Sequence, residues 1–461
     1  MQRNLYLILS LLLVVAVLAG CTAPATAPAG QAPAAGTAAA SGEKATITMW
    51  LDTTGDSQTA DCIVKNIIDP YNAQSTTVHV DTTLQPNSWD ATRTALAGGG
   101  GPDVVGTPGP SFVFEMAKAG QLLPLDDYAA KLGWSDTFAP WALKLGLVDG
   151  KLYSIPSEVE TLILYYNKTL FEQNGWTPPK TIDEMMALSE KIAAAGVIPF
   201  SHANAEWRPS NEWFVGEMLN HVAGPDKVYQ ALTGKIPWTD PDFVKAIDIL
   251  NTMQQNGWFM GGLDRYYTAT DAERQAALGD GKAAMNIEGT WFMSGIANYF
   301  GEAAGNTNDW DAVPVPSVSG DAIFDLGIGS TYSINANAKN PDAVADFLTH
   351  YFSPESQAIW LTVCGIAPAP VNLKADALSG IDPRSAKIYE SLSQASAVNN
   401  YGYTTWTFWP PKSDVYIYEE IEKVWSGDMT PEQYLQGLDD LFQSELKEGD
   451  IPPIPAREVT Q

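Results

Sequence analysis

Two carboxylates stand close together before a strongly apolar segment in the first half of the chain. Glu158 and Glu160 are separated by one residue on a segment predicted to be extended, so both side chains face the same side. Such a pair can accept hydrogen bonds from the hydroxyl groups of a neutral ligand. The two carboxyl groups of a glycosidase flank the bond that they break, and neighbours on one strand do not. The pair therefore favours binding, and a secreted carbohydrate-active enzyme using these two residues is the weaker alternative.

The chain holds fifteen tryptophans, more than a hydrophobic core usually needs. A sugar ring presents a face of C–H groups that packs on an aromatic plane, while carboxylates and amides bind its hydroxyls. Trp50 and Asp52 share the same parity at the end of a predicted strand and can point the same way. The stretch 399–411 (NNYGYTTWTFWPP) carries Trp406 and Trp409 just before a predicted helix. We take these four residues as candidates for ligand contact, with a place in the core as the alternative for each tryptophan.

A loop after the apolar run 197–201 contributes two further candidates, His202 and Trp207. A single histidine is more often a structural hydrogen-bonding residue than a ligand-binding one. Arg208 in the same loop could pair with an acidic sugar. The chain has only seven arginines, however, which favours a neutral ligand over an anionic one.

The charge balance excludes several classes of partner. The 461 residues include 26 Lys and Arg against 54 Asp and Glu, a net charge of −28. Nucleic acids and anionic membrane surfaces both require clustered positive charge, so neither is expected as a partner. No CxxC motif and no Cys/His ligand spacing is present, so we expect no metal and no cofactor.

The first 44 residues indicate where the folded part resides. Residues 5–19 form an apolar run that is short for a membrane span and suited to a signal-peptide core. The run ends in 18–21 (LAGC), which resembles the lipobox of bacterial lipoproteins. We therefore predict a lipoprotein signal peptide over 1–20 and acylation of Cys21, with an ordinary signal peptide as the alternative. Residues 21–44 are rich in Ala, Pro and Thr and predict a flexible tether. The folded part is expected outside the cytoplasm, held to the membrane only by its lipid.

Two cysteines remain if Cys21 is acylated. Cys62 and Cys364 lie far apart in sequence. In an oxidising compartment an even pair suggests a disulfide, and two separate small core residues are the alternative.

From residue 45 onward, predicted strands and helices alternate. Short β-rich runs at 46–51, 77–84 and 102–105 are each followed by a segment with helical spacing. This order predicts an α/β fold with mainly parallel sheets flanked by helices, and such sheets place ligand groups in loops at the carboxyl ends of their strands. At 181–184 (TIDE), a threonine followed by acidic residues predicts the start of a helix over 181–195.

Five short motifs, in order along the chain, resemble the extracellular solute-binding proteins of ABC importers. They are similar to the sugar-binding branch that includes maltose-binding protein (family 1). The motifs are 98–105 (GGGGPDVV), 120–128 (GQLLPLDDY), 149–156 (DGKLYSIP) with 164–171 (LYYNKTLF), 281–285 (GKAAM) with 288–291 (EGTW), and 327–330 (GIGS) leading to 339–343 (KNPDA).

This resemblance implies a two-lobed periplasmic-binding-protein-like fold of type II, with ligand enclosed between lobes by hinge motion. It would place 45–155 and 325–378 in lobe one, and 160–320 and 379–461 in lobe two. The loop at 107–110 departs from the pattern of the maltose-binding branch, which argues against carrying over maltose specificity.

The resemblance also assigns roles to individual residues. Glu160 falls where the maltose-binding relative has a ligand-binding glutamate. Trp291 falls where an aromatic ring stacks on sugar. Glu288, which begins the same motif, is taken as a further ligand-binding candidate. Similar proteins also place a stacking aromatic in the segment of Trp406 and Trp409.

The function implied is that of a non-enzymatic, lipid-anchored subunit that captures a mono- or oligosaccharide and delivers it to an ABC permease. We expect a monomer. The alternative within binding proteins is another small solute, such as a glycerol-phosphodiester, an amine or a peptide.

Overall fold

A computed structural model describes residues 44–54, 57–371, 381–397 and 400–457. The predicted signal peptide, Cys21 and nearly all of the tether lie outside the described residues, as does Asn399. Among the residues that the structure describes, no helix has the length and apolarity needed to cross a membrane.

The strands are numbered in chain order. They are β1 (Ala45–Asp52), β2 (Val78–Gln85), β3 (Val104–Thr107), β4 (Leu147–Val148), β5 (Lys151–Leu152), β6 (Ile155–Pro156), β7 (Val159–Glu160), β8 (Leu162–Asn167), β9 (Ile198–Phe200), β10 (Ala283–Gly289), β11 (Trp310–Val313), β12 (Phe324–Ile328), β13 (Thr331–Ile334) and β14 (Tyr401–Tyr403).

The α-helices surround these strands. They are α1 (Gln58–Ile63), α2 (Asp69–Gln74), α3 (Ser88–Ala97), α4 (Pro110–Lys118), α5 (Asp126–Leu132), α6 (Trp134–Thr137), α7 (Pro140–Leu143), α8 (Lys168–Asn174), α9 (Ile182–Ala194), α10 (Asn211–Met218), α11 (Pro225–Leu232), α12 (Pro241–Gln255), α13 (Leu263–Tyr266), α14 (Asp271–Gly279), α15 (Phe292–Gly295), α16 (Pro341–Tyr351), α17 (Pro354–Thr362), α18 (Pro383–Ala397), α19 (Thr405–Phe408), α20 (Pro411–Ser426) and α21 (Pro431–Glu448). Two π-helical turns, Val64–Ile68 and Leu219–Ala223, extend α1 and α10.

The helix start predicted at Thr181 is confirmed. Thr181 Oγ1 accepts a hydrogen bond from the Glu184 backbone N–H at 3.1 Å, and the Glu184 carboxylate accepts one from the Thr181 N–H at 3.2 Å. This reciprocal capping satisfies two backbone donors that would otherwise lack partners at the start of α9.

A five-stranded sheet has the order β2-β1-β3-β13-β6. The strands β1, β2 and β3 are parallel, as the sequence predicts, while β13 is antiparallel to both β3 and β6. Apolar side chains of β1 pack with residues of α1 and α16 in one buried core, which includes Ile47, Ile63 and Phe347.

A disulfide joins α1 to the segment after α17. The sulfur atoms of Cys62 and Cys364 are bonded, and their Cα atoms lie 5.8 Å apart. Of the two alternatives that the sequence leaves open, the structure has the covalent pair.

A four-stranded sheet has the order β11-β8-β10-β9. Here the expectation of a mainly parallel sheet is wrong, because β8 runs antiparallel to both β10 and β11 and only β9 is parallel to β10. The alternation of strand and helix patterns in the sequence predicts which segments are strands, but not the direction in which they pair. The long segments between β8 and its partners permit parallel or antiparallel pairing.

A small three-stranded sheet, β14-β12-β7, lies next to the crossing segments. Its strand β7 carries Glu160, which is paired with Gly327 of β12. The strands of the five-stranded sheet come from both segments assigned to lobe one, and those of the four-stranded sheet from the first segment of lobe two. The lobe boundaries at 155–160, 320–325 and 378–379 stay a prediction.

Candidate functional site

A cavity of about 360 Å³ opens between residues of the two large sheets. Eight of the ten predicted ligand-binding residues line it: Trp50, Asp52, Glu158, Glu160, Trp207, Glu288, Trp291 and Trp406. The cavity thus brings together residues from sequence segments that only the fold makes neighbours.

His202 and Trp409, the other two candidates, are not among the lining residues. His202 is buried with its ring centroid 4.4 Å from that of Phe214, and burial lowers its pKa well below the usual value. Trp409 is fully buried and packs at 5.2 Å against Trp238. Trp409 thus packs in the hydrophobic core, which is the alternative that the sequence left open for each tryptophan. The structural alternative for His202 was a hydrogen bond, and the structure instead packs its ring among aromatic side chains.

Trp291 is held in one orientation at the cavity wall. Its Nε1–H donates a hydrogen bond to Glu288 Oε1 at 2.8 Å. Its ring centroid lies 5.2 Å from that of Trp213 and 6.0 Å from that of Trp406. A Cβ atom on Gly289 would lie 2.0 Å from the Trp291 indole, so only glycine leaves room for the ring. The result is a preorganised aromatic surface.

Glu288 is fully buried at the centre of a hydrogen-bond network. Its Oε2 accepts from Arg274 in a short ion pair, from Gln275 at 3.0 Å and from Asn286 at 3.1 Å, while Oε1 accepts from Trp291. Both carboxylate oxygens therefore have partners within the protein. Glu288 lines the cavity, but its geometry makes it a positioning residue for Trp291 and Arg274.

Glu158 and Glu160 form a pair of neighbouring acidic side chains at the cavity. Both line the cavity from the β7 segment, as their spacing predicts, and Ser330 Oγ donates to Glu158 Oε1 at 3.2 Å. Burial raises the pKa of Glu160 well above its usual range, and the neighbouring Glu158 carboxylate raises it further. Burial also raises the pKa of Glu158. Among the described residues, no cationic side chain is paired with these two carboxyl groups. Two neighbouring carboxyl groups with raised pKa values favour one shared proton, so the pair can both donate to and accept from a hydroxyl group.

A Cβ atom on Gly329 would lie 1.7 Å from the Glu160 carboxyl carbon. The carboxyl group of Glu160 therefore rests directly on the backbone between β12 and β13. This close approach explains why a glycine stands at that position of the motif 327–330.

Asp52 ends β1 and fixes the loop that follows it. Its Oδ1 accepts from the Thr54 N–H at 2.7 Å, and its Oδ2 accepts from the Ser88 N–H at 2.7 Å, at the start of α3. Asp52 thereby ties two loops together beside Trp50 and Trp89, which both line the cavity.

Several lining residues were missed from the sequence, above all Glu212, Trp213, Arg274 and Gln275. They lie in the first turns of α10 and α14. The direction in which a particular side chain points from a helix end depends on tertiary packing, which the local sequence does not show. Arg274 is buried, and its guanidinium carbon lies 5.6 Å from the Trp213 ring centroid.

Arg208 does not line the cavity. Its guanidinium group forms ion pairs with Glu419 at 3.0 Å and Glu422 at 2.8 Å on α20. The sequence-based possibility that it binds an acidic sugar therefore gains no support from its position.

The profile of the bacterial extracellular solute-binding protein family matches residues 66–388. The chain belongs to this family. An extracellular solute-binding protein of this kind acts outside the cytoplasm, in agreement with the location expected from the N-terminal segment.

Individual relatives agree with this assignment. The protein is 26% identical to an uncharacterized ABC transporter extracellular-binding protein of Pyrococcus horikoshii, over 72% of this chain and 68% of that protein. It is 29% identical to the alpha-glucosides-binding periplasmic protein AglE of Rhizobium meliloti, over 38% of this chain and 40% of that protein. The match to AglE thus spans well under half of that protein.

Among solved structures, a chitin oligosaccharide binding protein aligns with a TM-score of 0.73 and 20% identity, covering 87% of this chain and 99% of that one. This similarity shows that the solute-binding protein has the two-lobed fold of periplasmic binding proteins.

Proposed function

We propose that this solute-binding protein captures a neutral mono- or oligosaccharide between its two lobes and delivers it to an ABC permease. The observation that carries the proposal is the pairing of a fixed aromatic surface, Trp291 with Trp213 and Trp406, with the neighbouring carboxyl groups of Glu158 and Glu160 in the same cavity. The aromatic rings match the C–H face of a sugar, and the carboxyl groups match its hydroxyls.

The charges around the cavity support a neutral ligand. Among the described residues that line it, Arg274 is the one cationic side chain, and it is already paired with Asp271 at 2.6 Å and with Glu288. An anionic ligand would find no available cation there. A glycerol-phosphodiester is therefore the least suited of the alternative solutes.

An amine or a cationic peptide is the second candidate, because a cavity with tryptophans and carboxyl groups can also surround a positive charge. The shared proton of Glu158 and Glu160 favours the sugar, since a protonated pair lacks the full negative charge that a cation would seek.

Binding without chemistry is the proposed mode of action. Glu158 and Glu160 lie on the same strand segment and on the same side of the ligand space, so they are not arranged to flank a glycosidic bond. Closure of the lobes on the ligand would instead be driven by the higher affinity of the closed state.

The names of similar proteins agree with this proposal, because AglE is described as binding alpha-glucosides and the structural neighbour as binding chitin oligosaccharides. We further propose that the protein acts as a monomer anchored through a lipid on Cys21, with 21–44 as the tether to the membrane.

The proposal is tested by thermal-shift screening of the purified protein against neutral oligosaccharides, acidic sugars, polyamines and short peptides. A ligand at a hundred times its Kd stabilises the folded state by about 2.7 kcal/mol, a readily measured shift. We expect α- or β-linked glucose or N-acetylglucosamine oligosaccharides to raise the unfolding midpoint. A shift with polyamines or peptides and none with neutral saccharides would refute the sugar assignment.

The enzyme alternative and the anchor each have a separate test. Hydrolysis of aryl glycosides that is lost in Glu160→Gln would replace the binding proposal with an enzymatic one. Palmitate labelling of the Cys21→Ala variant at the level of the unaltered protein would refute the lipid anchor.

A further inference from the structure

A buried cluster of three potential metal ligands lies outside the cavity. Glu217 is on α10, His221 is in the π-helical turn that follows it, and Asp325 is on β12. All three side chains are at most about 2% exposed, and one ligand atom from each lies within 4.8 Å of the others.

The distances within the cluster suit a small divalent cation. His221 Nε2 lies 3.0 Å from Glu217 Oε2 and 3.5 Å from Asp325 Oδ1. A tetrahedral zinc ion with bonds of about 2.0 Å separates its ligand atoms by roughly 3.3 Å, and the two observed distances lie on either side of that value. The other ring nitrogen, Nδ1, lies 3.1 Å from the carbonyl oxygen of Pro316. A backbone carbonyl in that position orients a metal-binding imidazole and leaves its Nε2 lone pair for the ion.

The carboxyl oxygens of this cluster have no other partners. Apart from the His221 ring, no hydrogen-bond donor and no Lys or Arg side chain is paired with the buried oxygens of Glu217 and Asp325 among the described residues. Buried carboxylates without such partners are costly. A Cβ atom on Gly402 would lie 1.8 Å from Asp325 Oδ1, so glycine is needed for the carboxylate to occupy this place.

We propose that Glu217, His221 and Asp325 bind a divalent cation of the first transition row, zinc by preference, with a water molecule as a further ligand. One imidazole nitrogen and two carboxylate oxygens are the donor types that zinc accepts, whereas calcium and magnesium prefer oxygen alone.

The ion would serve the binding cleft without touching the ligand. It would join α10, whose first turn supplies Glu212 and Trp213 to the cavity, to β12, which pairs with the strand that carries Glu160. Metal binding would thus stabilise the relative placement of two walls of the site.

The alternative is a metal-free ion cluster. Burial lowers the pKa of His221, but Glu217 and Asp325 outweigh this effect and raise it to about 10, so an imidazolium would form between the carboxylates. The two alternatives differ in metal content.

Elemental analysis of the purified protein, produced with zinc in the medium and dialysed without chelator, tests the proposal. We expect about one zinc per chain. Removing the metal with EDTA should lower the unfolding midpoint, and adding ZnCl2 should restore it, while MgCl2 should not.

Variants distinguish zinc binding at this cluster from zinc binding at the protein surface. Glu217→Gln and His221→Gln should each lose the zinc, whereas His79→Gln, which alters an exposed histidine on β2, should keep it. The proposal is overturned if the unaltered protein holds no zinc and ZnCl2 does not raise the midpoint of the EDTA-treated protein. It is also overturned if Glu217→Gln retains the metal. Stripping and reloading the unaltered protein decides the matter even if both glutamine variants fail to fold.

Discussion

Glu288 and Glu160 are two buried glutamates on the same cavity, and the protein handles their burial in different ways. Glu288 is fully buried and receives hydrogen bonds from four side chains, one of them the guanidinium of Arg274. Glu160 is 4% exposed and faces Glu158, and no cationic side chain in the described part of the chain is paired with it. One charge is compensated by arginine and the other by a proton.

This difference determines which carboxyl group is available to a ligand. The partners of Glu288 already occupy both of its oxygens, so its role is to hold Trp291 and Arg274 in place. The pair of Glu160 and Glu158 keeps hydrogen-bonding capacity on the cavity side. Residue type and burial alone would have assigned both glutamates the same role.

The largest loss of unfolding free energy is expected when Arg274 is replaced. Arg274→Met leaves Glu288 and Asp271 without their cation, and breaking a buried ion pair in this way costs about 3 to 5 kcal/mol of unfolding free energy. Urea denaturation measures the loss. Arg265→Met is the matched control, because Arg265 forms an exposed pair with Glu273 at 3.6 Å and should cost about 0.5 kcal/mol or less. Equal losses in the two variants would mean that Glu288 does not depend on Arg274.

The next effect concerns ligand affinity at Trp291. Trp291→Ala removes the central aromatic surface and should weaken binding of the saccharide found by screening by about 2 kcal/mol or more, roughly a 30-fold rise in Kd. Isothermal titration calorimetry gives the value. Trp176→Ala is the control, since Trp176 packs on Phe171 away from the cavity and should leave Kd unchanged. A Trp291 variant that binds normally would remove the aromatic surface from the proposed site.

The smallest of these effects, per pH unit, is a pH dependence of stability that arises from the carboxyl pair of Glu160 and Glu158. A carboxyl group whose pKa is raised by folding stabilises the protein at low pH, and that contribution is lost as pH rises from the ordinary carboxyl range through the raised pKa. The unaltered protein should therefore lose stability relative to Glu160→Gln as pH rises above the ordinary carboxyl range, by no more than about 1.4 kcal/mol per pH unit.

The buried pair of Glu212 and Asp414 also titrates, since burial raises the pKa of Asp414 to about 7. Its contribution is common to both proteins and cancels in the difference between the two curves. A difference that does not change with pH would show that Glu160 is ionised throughout the range.

Several cavity residues can be predicted from the sequence because they lie within short recognisable motifs. Glu160, Trp291 and Trp406 were placed by their position within recognisable segments, and all three line the cavity. The order of strands and helices likewise predicts an α/β fold. The antiparallel direction of β8 was not predictable, since it depends on pairings between segments far apart in the chain.

The orientation and contacts of individual side chains could not be predicted from the sequence. Arg274 and Trp213 enter the cavity from helix starts whose rotation is set by packing, and nothing in their local sequence marks them. The same limit applies to Trp406 and Trp409, three residues apart, of which only the first reaches the cavity. Their different environments come from the core around Trp238, a long-range contact.

Denaturant unfolding at neutral pH of Glu160→Gln and Glu288→Gln compares the two buried carboxyl groups directly. Glutamine replaces a protonated carboxyl group at Glu160 but removes the charge that pairs with Arg274 at Glu288. We predict that Glu160→Gln changes the unfolding free energy by about 0.5 kcal/mol or less, or raises it, while Glu288→Gln lowers it by about 3 kcal/mol. Equal losses in the two variants, or a larger loss at Glu160, would contradict the distinction between the two carboxyl groups.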